Sequence, residues 1–161
     1  MYPHHFETRV FVAASPDKLF AALDDQERLS AHMMKSSAMM AGSTMQFEFD
    51  ERRGRAIGSR MRLYGNVLGV PLEVIEVVSE RQPPRRKVWE TTGKPHLLVI
   101  GPYRMGFDIE LEGGGSRLTV FIDYDDPDGA WRVAGKLFGG MYARWCTRNM
   151  AGAAADSFRQ S

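Results

Sequence analysis

What narrows the folds open to this chain most is a change in its hydrophobic period, from two to 3.6, close to residue 126. From Gly42 to Asp125 apolar and polar residues alternate. Met45, Phe47 and Phe49, for example, interleave with Gln46, Glu48 and Asp50, the pattern of a strand with one wet face. Turn signals break this stretch at Arg53-Gly54-Arg55, Leu68-Gly69-Val70-Pro71, Gln82-Pro83-Pro84, Thr92-Gly93-Lys94-Pro95 and Gly113-Gly114-Gly115. Six consecutive strands on such short links pair antiparallel, because a parallel crossover takes about a dozen residues or more. Beyond Asp125-Asp126-Pro127-Asp128, Trp131, Ala134, Phe138, Met141, Trp145 and Asn149 advance by three or four, and Leu137, Tyr142 and Ala153 widen the stripe. A terminal helix of about 30 residues spans ~45 Å, the length of the domain. Gly135, Gly139, Gly140 and Gly152 are poor helix formers, so close packing or a bend is expected near Gly139-Gly140.

The chain opens with a strand over residues 6–12 and then Ser15-Pro16-Asp17, a helix start. Ser15 is suited to N-cap, Pro16 loses nothing at the first helical position, and Asp17 favours the positive end of the helix dipole. Leu19, Phe20 and Leu23 follow at helical spacing, and a second short helical stretch over about residues 26–32 leads into Met33-Met34 and Met39-Met40. The expected fold is α+β: a seven-stranded curved antiparallel sheet wrapped around a long C-terminal helix, with two short helices between strands 1 and 2. A curled sheet and a straight helix do not match in curvature, so a cavity is expected between them. The 161 residues suit a single domain, 1–161.

Element order and local patterns resemble the START-related, pollen-allergen-like (SRPBCC) superfamily, in its polyketide cyclase/dehydrase and lipid-transport branch. The residues carrying the resemblance are Val10-Phe11-Val12-Ala13-Ala14-Ser15-Pro16-Asp17-Lys18-Leu19-Phe20-Ala21-Ala22-Leu23, Pro83-Pro84-Arg85-Arg86-Lys87-Val88-Trp89-Glu90, and the closing helix. The resemblance implies a helix-grip fold around an elongated apolar pocket. Members of the superfamily include lipid and sterol carriers, hormone receptors and polyketide cyclases, so it speaks to fold more than to chemistry.

Several function classes are disfavoured by the residues themselves. No apolar run approaches the ~20 residues of a transmembrane helix, and the first residues lack a basic region followed by an apolar stretch, so a cytoplasmic location without stable membrane insertion is expected. Lys+Arg 21 against Asp+Glu 20 gives net +1, and the basic clusters Arg52-Arg53-Gly54-Arg55 and residues 81–87 sit beside acids without interleaved aromatics, so no nucleic-acid partner is expected. Among His4, His5, His32, His96 and Cys146 no pair has metal-ligand spacing, and neither a metal nor a cofactor is expected. There is no Gly-x-Ser-x-Gly elbow, and Cys146 beside Trp145 reads as a buried, inert thiol.

Placing the charged face of each strand outward puts Phe6, Thr8, Val10, Val12, Met45, Ile109, Leu111 and Leu118 inside, along with most of the expected cavity lining. That lining comprises Phe47, Phe49, Met61, Leu63, Trp89, Tyr103, Met105, Phe107, Val120, Ile122, Tyr124, Phe138, Met141, Tyr142 and Trp145. The parity of strands 72–78 and 88–92 is ambiguous, with Trp89 favoured inward. Ten methionines suit apolar guests of variable shape. Tyr103, Tyr124 and Tyr142 offer hydroxyls, and His32, beside the methionine segment, is the one histidine expected near an entrance. The expected function is non-catalytic binding or transport of an apolar small molecule (lipid, isoprenoid or polyketide-like) by a monomer or homodimer. The alternative is an aromatase/cyclase-type enzyme in which Tyr103, Tyr124 or His32 polarises carbonyls or moves protons. A protein-interaction module would need an apolar patch on the outer face, where Phe11 and Phe121 are the only hints.

Overall fold

The structure, a computed structural model, describes residues 2–29, 45–67 and 69–159. Its strands are β1 (His4–Val12), β2 (Gln46–Phe49), β3 (Arg60–Val67), β4 (Val70–Gln82), β5 (Arg86–His96), β6 (Tyr103–Glu112) and β7 (Gly115–Tyr124). They form one antiparallel sheet of seven strands in the order β1-β7-β6-β5-β4-β3-β2. The six strands after the first are a meander, and β1 closes the far edge against β7. Helix α1 (Pro16–Asp24) begins at Ser15, whose hydroxyl accepts from Lys18 N at 3.4 Å. Residues 26–29 are helical, and the remainder of the second helical stretch lies outside the described residues. A 3-10 turn (Gly129–Trp131) leads into the long helix α2 (Arg132–Ser157).

The two helices fill the concave side unequally. From α1, Leu19, Phe20 and Leu23 are buried, and Phe20 meets Phe107 edge-on at 5.7 Å between centroids. Phe107 in turn meets Trp89 at 6.4 Å, so this end of the sheet is solid core. Helix α2 crosses the sheet through Gly135, Gly139, Ala143, Cys146, Thr147, Met150, Ala151, Ala154 and Ala155. Thr147 Oγ1 and Thr8 Oγ1 share a hydrogen bond of 2.8 Å, tying α2 to β1.

Several expectations are corrected. The buried face of α2 is not the stripe of large residues: Trp131, Phe138 and Met141 are 43, 47 and 54% exposed. The backbone lies so close that a Cβ at Gly135 would stand 2.3 Å from Pro127 Cδ, and one at Gly139 2.9 Å from the Val99 carbonyl oxygen. Small residues therefore define the contact, and Trp131, Phe138 and Met141 turn outward. Thr92-Gly93-Lys94-Pro95 is not a chain reversal; β5 runs on to His96, and the register with β4 slips between Glu73 and Ile75, which absorbs the extra residues. The reversal comes at residues 97–102, where Gly101 N donates to Asp125 O at 2.8 Å and a Cβ on Gly101 would stand 2.4 Å from Asp126 O. Leu111, expected inside, is 75% exposed because it lies at the β6–β7 hairpin tip, past the last layer of the core. On the outer face Phe121 is buried beneath the Arg86 and Arg104 guanidiniums, 5.2 and 6.0 Å from its ring centroid, while Phe11 is exposed.

Candidate ligand-binding site

Where α1 ends and α2 rises over β3–β6, side chains do not meet, and a hollow of about 250 Å³ remains. This lies just under the ~300 Å³ at which small-molecule sites usually begin. Strands contribute Phe47, Leu63, Val67, Leu72, Val74, Glu76, Trp89, Tyr103, Met105 and Ile122; the reversal contributes Leu97, Leu98, Val99 and Ile100. Helix α2 adds Tyr142, Trp145, Cys146 and Met150, and Gln26, Leu29 and Met45 complete the wall.

Of the residues expected to line a cavity, the structure brings Phe47, Leu63, Trp89, Tyr103, Met105, Ile122, Tyr142 and Trp145 around this hollow. Phe49, Met61, Phe107 and Val120 point to the same side of the sheet but pack into the core without lining the hollow. Phe138 and Met141 lie on the exposed face of α2 and take no part. Tyr124 is a correction of a different kind. Its ring stacks on His4 at 4.9 Å and fills the space beside Gly139, where a Cβ would be 3.5 Å from Tyr124 Cε2. It therefore packs beside the glycines that admit α2 and is absent from the wall. His32, with Met33, Met34, Met39 and Met40, lies outside the described residues.

Polar chemistry in the wall is concentrated at Glu76, which the sequence reading did not single out. Residues 72–78 carry an acid on either parity, Glu73 on one face and Glu76 on the other, so charge alone does not orient the strand. In the structure Leu72, Val74 and Glu76 face the hollow. The Tyr103 hydroxyl donates to Glu76 Oε1, and burial pushes the Glu76 carboxyl up to about 7. Burial, then the adjacent Glu76, raises the Tyr103 hydroxyl well above its ordinary value. One helical turn apart on α2, Tyr142 and Cys146 are hydrogen-bonded, and burial pushes the thiol up to about 12, which makes it no nucleophile at neutral pH. The result is an apolar, aromatic chamber with one carboxyl group able to gain or lose a proton near neutrality.

Gln26 adds an amide to the wall, is 3% exposed, and its Oε1 has no hydrogen-bond partner. A buried network holds the chain just before it. Lys87, fully buried, donates from Nζ to Asp24 Oδ1 at 2.9 Å and to the Asp24 carbonyl at 3.2 Å. Arg81 donates to both Asp24 oxygens, at 3.2 and 2.7 Å. Burial opposes ionisation of Asp24, but the bonds from Arg81 and Lys87 prevail and hold its carboxyl below the usual range. This clamp fixes the end of α1 to β4 and β5, and with it the position of Gln26.

No curated protein matches the chain by sequence. Similar solved structures include TTHA0849 from Thermus thermophilus, at 11% identity over 98% of both chains with a TM-score of 0.69. Norcoclaurine synthase from Thalictrum flavum is 15% identical over 98% of this chain and 87% of its own, with a TM-score of 0.67. Mll3558 from Rhizobium loti is 18% identical over 92% of this chain and 95% of its own, with a TM-score of 0.61. At such identities the likeness is one of fold, a sheet gripping a terminal helix. Residues 3–159 match the model of the polyketide cyclase / dehydrase and lipid transport family, and the chain belongs to that family.

Proposed function

We propose that the protein binds a small apolar molecule in the hollow between the sheet and α2, as a carrier or sequestering module of a single domain. The observation that carries this reading is an apolar wall with few ionisable groups, Glu76 being the one acid among the described lining residues. Apolar contact supplies about 25 cal/mol per Å² removed from water, so affinity comes from fit to Phe47, Leu63, Trp89 and Trp145. Lipid fragments, isoprenoids and polyketide-like compounds share that character. The location proposed is cytoplasmic; among the described residues no helix is long and apolar enough to cross a membrane. A monomer or a homodimer suits the reading equally, since each copy holds a whole hollow.

A second reading has one observation in its favour. Glu76 and Tyr103 together form a proton-holding pair at the wall, the kind of group that acid–base chemistry in a cyclase or dehydratase uses. Turnover of a poly-keto probe by the wild type, lost in Glu76→Gln, is the result expected of that reading.

The test of binding is native mass spectrometry before and after incubation with apolar compounds, paired with thermal unfolding. A one-to-one adduct with a raised Tm supports the proposal, since a ligand at 100 times its Kd stabilises by about 2.7 kcal/mol. Absence of any adduct, with Trp89 and Trp145 fluorescence unchanged, overturns it.

A further inference from the structure

We infer that the occupant of this hollow carries a hydrogen-bond-donating, non-anionic headgroup, an ammonium before a hydroxyl, received by Glu76 and Gln26. The inference rests on the binding reading and adds to it the chemistry of one end of the ligand.

Glu76 is buried, and among the described residues the hydrogen bond to its carboxyl comes from Tyr103, at Oε1. Gln26 Oε1 is buried without a partner, which in a folded protein normally signals a group awaiting one. These two acceptors stand in the same region. Met61 is the cross-strand partner of Glu76, so the two side chains point to one face. A Cβ on Gly54 would lie 3.0 Å from Gln26 Cβ and 3.2 Å from Met61 Sδ, so Gln26 and Met61 flank the same glycine, and Gln26 and Glu76 both line the hollow. Two buried or half-buried basic side chains, Arg81 and Lys87, are committed to Asp24 and do not line the hollow.

Among the described residues, then, the wall holds one carboxyl and no lysine, arginine or histidine. A fatty carboxylate entering here would be repelled by ionised Glu76, and no cation among the described lining residues would balance the two charges. An ammonium forms a charge-assisted hydrogen bond with Glu76 and donates its further hydrogens to Gln26. A hydroxyl satisfies one acceptor at a time.

Isothermal titration with octylamine, octanol and octanoate, which share a chain and differ in headgroup, tests the inference. The wild type is expected to bind octylamine about tenfold or more tighter than octanoate, with octanol between them. In Glu76→Gln the preference for amine over alcohol is expected to shrink to within about threefold while octanol still binds. The wild type gives an independent measure if that variant fails to fold. Its amine-to-alcohol affinity ratio should rise between about pH 5 and about pH 8 as Glu76 ionises. Among the described residues the titratable groups facing Glu76 are Tyr103 from β6 and Tyr142 and Cys146 from α2, all shifted upward and silent in that range. Octanoate binding as tightly as octylamine, or a ratio indifferent to pH, overturns the headgroup assignment while leaving apolar binding intact. Failure of all three probes to bind overturns both.

Discussion

Glu76 holds its proton more tightly in the folded chain than in the unfolded one, because burial disfavours the carboxylate. With a pKa moving from 4.5 to about 7, its contribution to stability is full below the lower value and is lost as pH rises through the upper one. The loss is on the order of 3 kcal/mol. Glu76→Gln keeps an oxygen for Tyr103 and removes the titration. Denaturant unfolding should therefore find it comparable to the wild type near about pH 4 and more stable by roughly 1–3 kcal/mol at about pH 8. Parallel stability curves for the two proteins would contradict the assignment. The Asp24 clamp gives a second residue-scale prediction. Asp24→Ala strands Lys87, which is fully buried, without its counter-charge and should cost about 3–5 kcal/mol. Lys87→Met leaves Asp24 bound by both Arg81 nitrogens and should cost distinctly less, by the same unfolding measurement.

At the scale of the element, α2 is a helix whose contact face is selected by smallness. Gly135→Ala puts a methyl group 2.3 Å from Pro127 Cδ and should destabilise by about 1–3 kcal/mol through overpacking. Gly152→Ala, where a Cβ meets nothing within 4 Å, should instead stabilise by up to about 1 kcal/mol through helix propensity. Thermal unfolding of the two variants should move in opposite directions; a shared sign would mean that propensity or packing alone governs the helix. The same logic explains why the stripe of large side chains misled. Trp131, Phe138 and Met141 have helical spacing, but so do Gly135, Gly139, Ala143 and Cys146, and periodicity cannot tell which face a neighbour will approach. Strand faces were easier to read where charge lay on one side only. Tyr103 and Met105 could be placed inward from their polar neighbours, whereas the strand bearing both Glu73 and Glu76 could not.

For the whole molecule, the hollow is what remains once α1 has filled one end of the sheet and α2 has settled onto the other. Val74 lines it from β4. Val74→Phe should project a ring into open space, leaving stability unchanged or slightly raised while abolishing uptake of an apolar ligand in the mass-spectrometric assay. Retained uptake would place the ligand elsewhere. The order of amino acids was enough to settle the kind and succession of the elements, the antiparallel meander and the closing helix. Those follow from periodicity and turn chemistry among neighbouring residues. Long-range packing selected which aromatic side chains line a space and which fill it. Tyr103 and Tyr124 are cross-strand partners on one face, yet only Tyr103 reaches the hollow, because the glycines of α2 bring the helix down beside Tyr124. How closely a helix approaches, and which of two acids a strand turns inward, are set by residues far apart in the chain, and no local pattern records them.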